Sequence, residues 1–297
     1  MKKLAFVIFC CLPVSLFANS DSCNSPLEYT IDKRCYVTTE QKQIKPYNAV
    51  AYVLETGCSA SIVKNNNQLY VYTAKHCTDI DFDKIPNQKL DVRLQDGRIF
   101  SATSTNMGHY DITNDEDKDG DWAIYLLDGD TTDVPYVNIS QIFQNDTHNA
   151  EADALSVGYG NLKIMSDAEI ENFKNAYINY LQEHPTEKTG FVKNGIDTNN
   201  IAVQNFLETL DMEQYIDIFS NTELKQSECK IKADGSTHYC QTWHGDSGGG
   251  VFDNSGNILR IITRGYSFIG GEQHAGKMKY VYSSGIDIYQ ILNQITK

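Results

Sequence analysis

The chain has 297 residues, 41% of them hydrophobic and 22% charged, with 39 acidic against 25 basic side chains and a net charge of −14. That length and apolar share suit one large or two small folded domains rather than a disordered chain. The acidic balance excludes a protein held to nucleic acid or to an anionic membrane by charge, and is compatible with basic substrates or with a plainly solvated surface.

The chain opens with Lys2-Lys3, an apolar run over 4–17 and the small residues Ala18-Asn19-Ser20. A basic start, a short apolar core and a small-residue end predict a secretory signal over 1–18, shorter than a membrane span. Removing it takes two lysines and no acid, so the net charge becomes −16, and Cys10 and Cys11 leave with it. The mature protein is expected to be secreted or periplasmic, without membrane attachment. Cys23, Cys35, Cys58, Cys77, Cys229 and Cys240 remain. Six cysteines in an exported chain suggest three disulfides, with fifteen pairings open.

Residues 19–45 are polar and read as an N-terminal extension lying on the core. From residue 49 short β-branched and aromatic runs alternate with Asn, Asp and Gly clusters, the pattern of antiparallel strands. Strands are expected at 49–54, 60–63, 68–74, 91–94, 98–100 and 122–127. A second set begins at 154–160, which ends Gly158-Tyr159-Gly160, and resumes at 251–252, 258–263 and 279–283. Between them, over about 161–228, the pattern becomes helical. Ser166 with Glu169 forms a capping box, and Ile170, Phe173, Ala176, Tyr177, Tyr180 and Leu181 fall on one face until Pro185 ends the helix. A second helix is expected over 199–219, carrying Ile201, Phe206, Leu207, Leu210, Tyr215 and Ile218, of which Phe206, Leu207 and Leu210 form the face to be buried, and a closing helix over 286–296. The outer faces of the insertion hold Glu169, Glu171, Glu183, Glu208, Asp211 and Glu213.

The chemistry centres on Gly245-Asp246-Ser247-Gly248-Gly249-Gly250. Glycines let the backbone turn sharply and bring N–H groups close to a substrate. Gly-x-Ser-x-Gly also occurs in the strand-to-helix elbow of α/β-hydrolases, but that fold needs an acid and then a histidine after the serine. Only 50 residues follow Ser247, their one histidine is His274, and the next segment reads as strand and turn. Upstream, Thr73-Ala74-Lys75-His76-Cys77 closes one β run and Asp121-Trp122-Ala123 opens another. A serine hydroxyl needs a base to take its proton, an imidazole titrates near the working pH, and a carboxylate can orient that imidazole.

These three blocks, in the order His, Asp, Ser, resemble the trypsin/chymotrypsin-like serine peptidases over roughly 46–294. The resemblance implies a mostly β fold of two antiparallel six-stranded barrels, over 46–137 and 138–297, with the active site between them and the helical insertion as an addition. It implies His76, Asp121 and Ser247 as catalytic residues, and the backbone N–H groups of Gly245 and Ser247 as the oxyanion hole. It pairs Cys58 with Cys77, leaving Cys23–Cys35 and Cys229–Cys240. It sets the substrate pocket at Gln241, Thr263, Gly265 and Tyr280, where no acid stands to favour Arg or Lys. Substrates would be proteins or peptides, with no cofactor, no metal and no nucleic acid; the oligomeric state is not legible. A peptidase-fold binding protein, inactive or awaiting activation, is the alternative.

Members of that family commonly free an Ile-Val-Gly-Gly-like end whose amine pairs with the Asp before the serine. No such sequence precedes Pro46; Lys33-Arg34 is the nearest trypsin-like cut site, so the partner of Asp246 is open. Asp115, Asp117, Asp119 and Gly120 open like a calcium loop, yet position twelve is Leu126, so they read as an acidic turn. Cys229, His238, Cys240 and His244 could ligate zinc, but export favours a disulfide.

Overall fold

The computed structural model describes residues 34–78, 87–108, 120–140, 151–161, 163–164, 166–192, 195–196, 200–232, 242, 244–266 and 282–287. The signal over 1–18, Cys23, Asp115, Asp117, Asp119, His238, Cys240, Gln241, Tyr280 and the helix beyond 287 lie outside them.

The fold is mostly β. Strands β2 (Val50–Val53), β3 (Ser59–Asn65), β4 (Gln68–Thr73), β5 (Lys89–Arg93), β6 (Ile99–Met107) and β7 (Ala123–Leu127) close into a barrel in the order β2-β3-β4-β7-β6-β5. Closure removes unpaired strand edges. Two asparagines, Asn66 and Asn67, both with positive φ, make the two-residue turn between β3 and β4, as the right-handed twist of a hairpin requires. The interior is small and branched: Val53, Ala60, Ile62, Val71, Val92 and Ala102, with Tyr125.

Beside it lies a six-stranded antiparallel sheet. It is built from β1 (Arg34–Tyr36), β8 (Glu151–Gly158), β11 (Lys225–Lys232), β12 (Gly250–Phe252), β13 (Ile258–Tyr266) and β14 (Tyr282–Asp287), ordered β1-β11-β8-β12-β13-β14. A shared core of Tyr47, Tyr72, Trp122, Leu155, Phe252 and Ile261 joins barrel to sheet. This is the β architecture the resemblance implies, although β1 draws the end of the N-terminal segment into the sheet instead of laying it on the surface.

The insertion holds α1 (Asp167–Glu183), a small hairpin of β9 (Phe191–Val192) and β10 (Gly195–Ile196), α2 (Ile201–Thr209) and α3 (Met212–Phe219). The expected capping box at Ser166 and Glu169 starts α1, and His184 ends it one residue before Pro185. The single helix expected over 199–219 is two helices. Leu210 is extended, and Asp211 caps α3 in a box with Gln214, a signal as strong as the serine box that the periodicity overrode. Phe173, Tyr177, Tyr180, Val203 and Phe206 form the insertion's own core. Strand structure resumes at Lys225, earlier than the 228 boundary, and Ile286 and Asp287 lie in β14 rather than in a helix. No helix among the described residues is long and apolar enough to cross a membrane.

Candidate active site

Neighbouring strands β4 and β7 place Thr73 opposite Ala123. The residues just past those ends, His76 in a short 3-10 turn and Asp121, therefore meet. Asp121 is fully buried. One carboxylate oxygen accepts the backbone N–H of His76 at 3.0 Å and the other lies 2.8 Å from His76 Nδ1. That partner assigns the proton to Nδ1 and leaves Nε2 as an acceptor. The side chain of His76 is 28% exposed, so the ring is open to solvent on the side away from Asp121. Beside it Lys75 is buried and donates to Gly108 O at 2.6 Å. Burial pulls the Lys75 ammonium down, against the charge of Asp121, which raises it. A disulfide between Cys58 and Cys77 ties the turn carrying His76 to the start of β3.

The loop that carries Ser247 is shaped by Gly245, at φ +94°, where a Cβ would also stand 2.7 Å from Tyr159 O. Only glycine meets both demands. Ser59 brackets this loop from the barrel: its N–H donates to Ser247 O at 2.8 Å, its Oγ donates to Gly245 O at 2.7 Å, and it accepts Tyr159 N–H at 2.7 Å. Among the described residues the N–H groups of Gly245 and Ser247 donate to no acceptor, whereas those of Gly248 and Gly249 are bound at 2.6 and 2.8 Å. Two unspent donors flanking one residue, one of them the serine's own N–H, can receive a developing oxyanion.

Asp246, 3% exposed, turns away from this opening. It accepts Gly160 N–H at 2.6 Å and pairs with Arg34 Nη2 at 3.2 Å. Gly160 O in turn accepts Lys225 Nζ at 2.6 Å. Lys225 also donates to Asn221 Oδ1 at 2.7 Å and to Glu223 O at 3.0 Å. Burial first, then the charge of Arg34, brings the Lys225 ammonium down to about 7, against Asp246 and Glu223.

His76, Gly245 and Ser247 line one cavity of about 380 Å³. Its other walls are Tyr52, Thr56, Gly57 and Cys58 of the barrel, Tyr159 and Asn161 after β8, His244, and Ser220, Asn221 and Thr222 where the insertion returns to the sheet. Thr263 and Gly265, expected in the substrate pocket, sit on β13; Thr263 is buried and is not among the walls of this cavity. Cys35 and Cys229 are each disulfide-bonded to cysteines outside the described residues, which removes Cys229 as a zinc ligand. Sequence reasoning passed over Ser59, Asn161, Asn221 and Lys225, and noted Arg34 only as part of the nearest trypsin-like cut site, leaving the partner of Asp246 open. The legible trace of this network was Gly158-Tyr159-Gly160: a Cβ at Gly158 would lie 2.6 Å from Asp246 Oδ1, and one at Gly160 would lie 2.2 Å from Arg34 Nη2.

No family model matches the chain, and no curated protein matches it. Among solved structures it is similar to a Glu endopeptidase, at 15% identity over 89% of this chain and 94% of that one, with a TM-score of 0.49. It is also similar to a serine endoprotease from Yersinia pestis, at 16% identity over 88% of this chain and 66% of that one, with a TM-score of 0.43.

Proposed function

We propose that this chain is an exported serine endopeptidase that cleaves protein or peptide substrates through an acyl-enzyme. Ser247 Oγ attacks the scissile carbonyl as His76 Nε2 takes its proton, and Asp121 holds the imidazolium that forms. The carbonyl oxygen, now negative, is received by the N–H groups of Gly245 and Ser247. His76 then returns the proton to the leaving amine, which departs as the Ser247 ester forms. Water, activated by the same imidazole, hydrolyses the ester and releases Ser247.

The observation that carries this reading is the fully buried Asp121 carboxylate, which binds both the ring and the backbone of His76 while that ring lines one cavity with Ser247. Two unspent N–H groups beside the serine add support. Because the insertion's exit forms one wall, we further propose that its exposed acids, among them Glu208, Asp211 and Glu213, favour basic segments of large substrates.

The test is a fluorophosphonate probe, which reacts only with an activated serine. Folded mature protein should be labelled at Ser247, and Ser247→Ala should not. Failure of the folded protein to react would leave the inactive binding protein as the better reading.

A further inference from the structure

We infer that Arg34 is a positioning residue for the nucleophile loop, its guanidinium holding Asp246 from within the chain so that no freed chain terminus is needed. The inference rests on the peptidase reading above. A lone buried carboxylate costs several kcal/mol, and Asp246 is 3% exposed. Its cationic partner here is Arg34, 4% exposed, on β1, whose register against β11 sets Arg34 opposite Ser227. The pair closes over Gly160, where a Cβ would come within 2.2 Å of Arg34 Nη2 and 2.5 Å of Asp246 Oδ2. Lys225, a second buried cation near the loop, is engaged by Gly160 O, Asn221 Oδ1 and Glu223 O.

Asp246 stands between Gly245 and Ser247, two residues that line the cavity and whose N–H groups donate to no acceptor among the described residues. Turning its carboxylate outward would rotate the peptides on either side and take both donors with them. The Lys33-Arg34 pair then acquires the opposite meaning from a maturation site. Arg34 is buried inside a strand, and a cut after it would part the guanidinium from the strand that aims it.

The experiment compares kcat, KM and fluorophosphonate labelling for protein beginning at residue 19, with its α-amine free or acetylated, and for variants at Arg34. Acetylated and free protein should turn over alike. Arg34→Met should lose 10²- to 10³-fold in kcat and in labelling rate, the loss of a misplaced oxyanion donor, with KM within about threefold of wild type. Arg34→Lys should keep kcat within about tenfold. Arg34→Met with Asp246→Asn should recover part of the loss, because no buried charge is stranded.

Folded Arg34→Met with wild-type kcat, or an acetylated protein that is inactive, overturns the inference. Should Arg34→Met not fold, Arg34→Lys decides: folded and crippled 10²-fold or more, it overturns the inference. Wild-type protein that takes no probe overturns the peptidase reading itself, a result distinct from equal labelling of wild type and Arg34→Met.

Discussion

His76 and Asp121 come from one closed barrel and meet because β4 and β7 are neighbours in register. Ser247 sits on a loop of glycines whose fastenings arrive from elsewhere: Ser59 of the barrel, 186 positions from Gly245, Gly160 after β8, and Arg34 of the N-terminal segment. In the barrel every strand has two partners, so backbone pairing alone sets the ends of its strands. A loop that needs positive φ at Gly245 and Gly248 has no ladder to impose it, and side chains from other elements do so instead. One half of the site is built by local register and the other by long-range polar contacts.

The hardest way to break that contrast is to remove one proposed catalytic group from each half. Ser247→Ala and His76→Ala should each lower kcat roughly 10⁶-fold, and the double variant no further, because the groups act as a unit. Asp121→Asn should cost about 10⁴-fold by presenting the wrong tautomer. Peptide hydrolysis at matched concentrations of folded protein measures all four. Additive losses in the double variant would mean that the halves work independently.

Ser59→Ala sharpens the contrast, since Ser59 is the barrel's side-chain hold on the loop. It removes the hydroxyl that Gly245 O and Tyr159 N–H share. Stranding those groups costs about 1–3 kcal/mol, or roughly ten- to a hundredfold in kcat where the loss falls on the transition state. Thermal unfolding followed beside kcat separates the two: a lowered midpoint with unchanged kcat would make Ser59 a packing residue only.

The same division governs what could be read from the sequence. The alternating runs over 50–127 carry their own period, and His76 and Asp121 stand at their ends, so the barrel half was legible residue by residue. The glycine loop was legible as chemistry but not as geometry. Its partners are single polar residues, and Arg34, Ser59 and Lys225 look like any others in a strand. Arg34 even suggested cleavage, because a dibasic pair has that meaning only when it is exposed. In the insertion the apolar period foretold α1 and its face, yet it ran through Asp211, where a carboxylate that can cap competes with helix continuation. Thr263 and Gly265 were assigned to a pocket by resemblance alone, and Asn161 and Asn221, which wall the cavity at Ser247, carry no signal of their own in the sequence.

That insertion offers a third and milder comparison, between a unit with its own core and the site it borders. Phe206 packs edge-on to Phe173 and against Tyr177 and Tyr180. Phe206→Ala should destabilise α1 and α2 by about 3–5 kcal/mol. Small-peptide kcat should stay within about twofold, because the catalytic groups rest on barrel and sheet. Proteolysis of the native state should report the first effect and peptide turnover the second. A tenfold fall in small-peptide kcat would show that α1 and α2 brace the wall at Asn221.

Lys225 supplies the smallest effect and the finest probe of the sheet half, because its charge answers to pH. Its ammonium lies about 7 in the fold against 10.5 in the unfolded chain, burial being the main cause and Arg34 the next, against Asp246 and Glu223. Below pH 7 both states hold the proton, and folding bears the cost of burying the charge. From about pH 7 towards 10.5 the unfolded chain binds more protons than the fold, so stability must rise with pH across that window. Lys225→Met removes the titrating group and keeps most of the stem. The wild-type stability, less that of the variant, should therefore climb between about pH 7 and pH 9, by on the order of 1–3 kcal/mol. Urea unfolding at matched ionic strength reads the difference. A difference that stays flat would mean that Gly160 O, Asn221 Oδ1 and Glu223 O hold Lys225 charged throughout, and that the sheet half keeps two full cations beside one carboxylate.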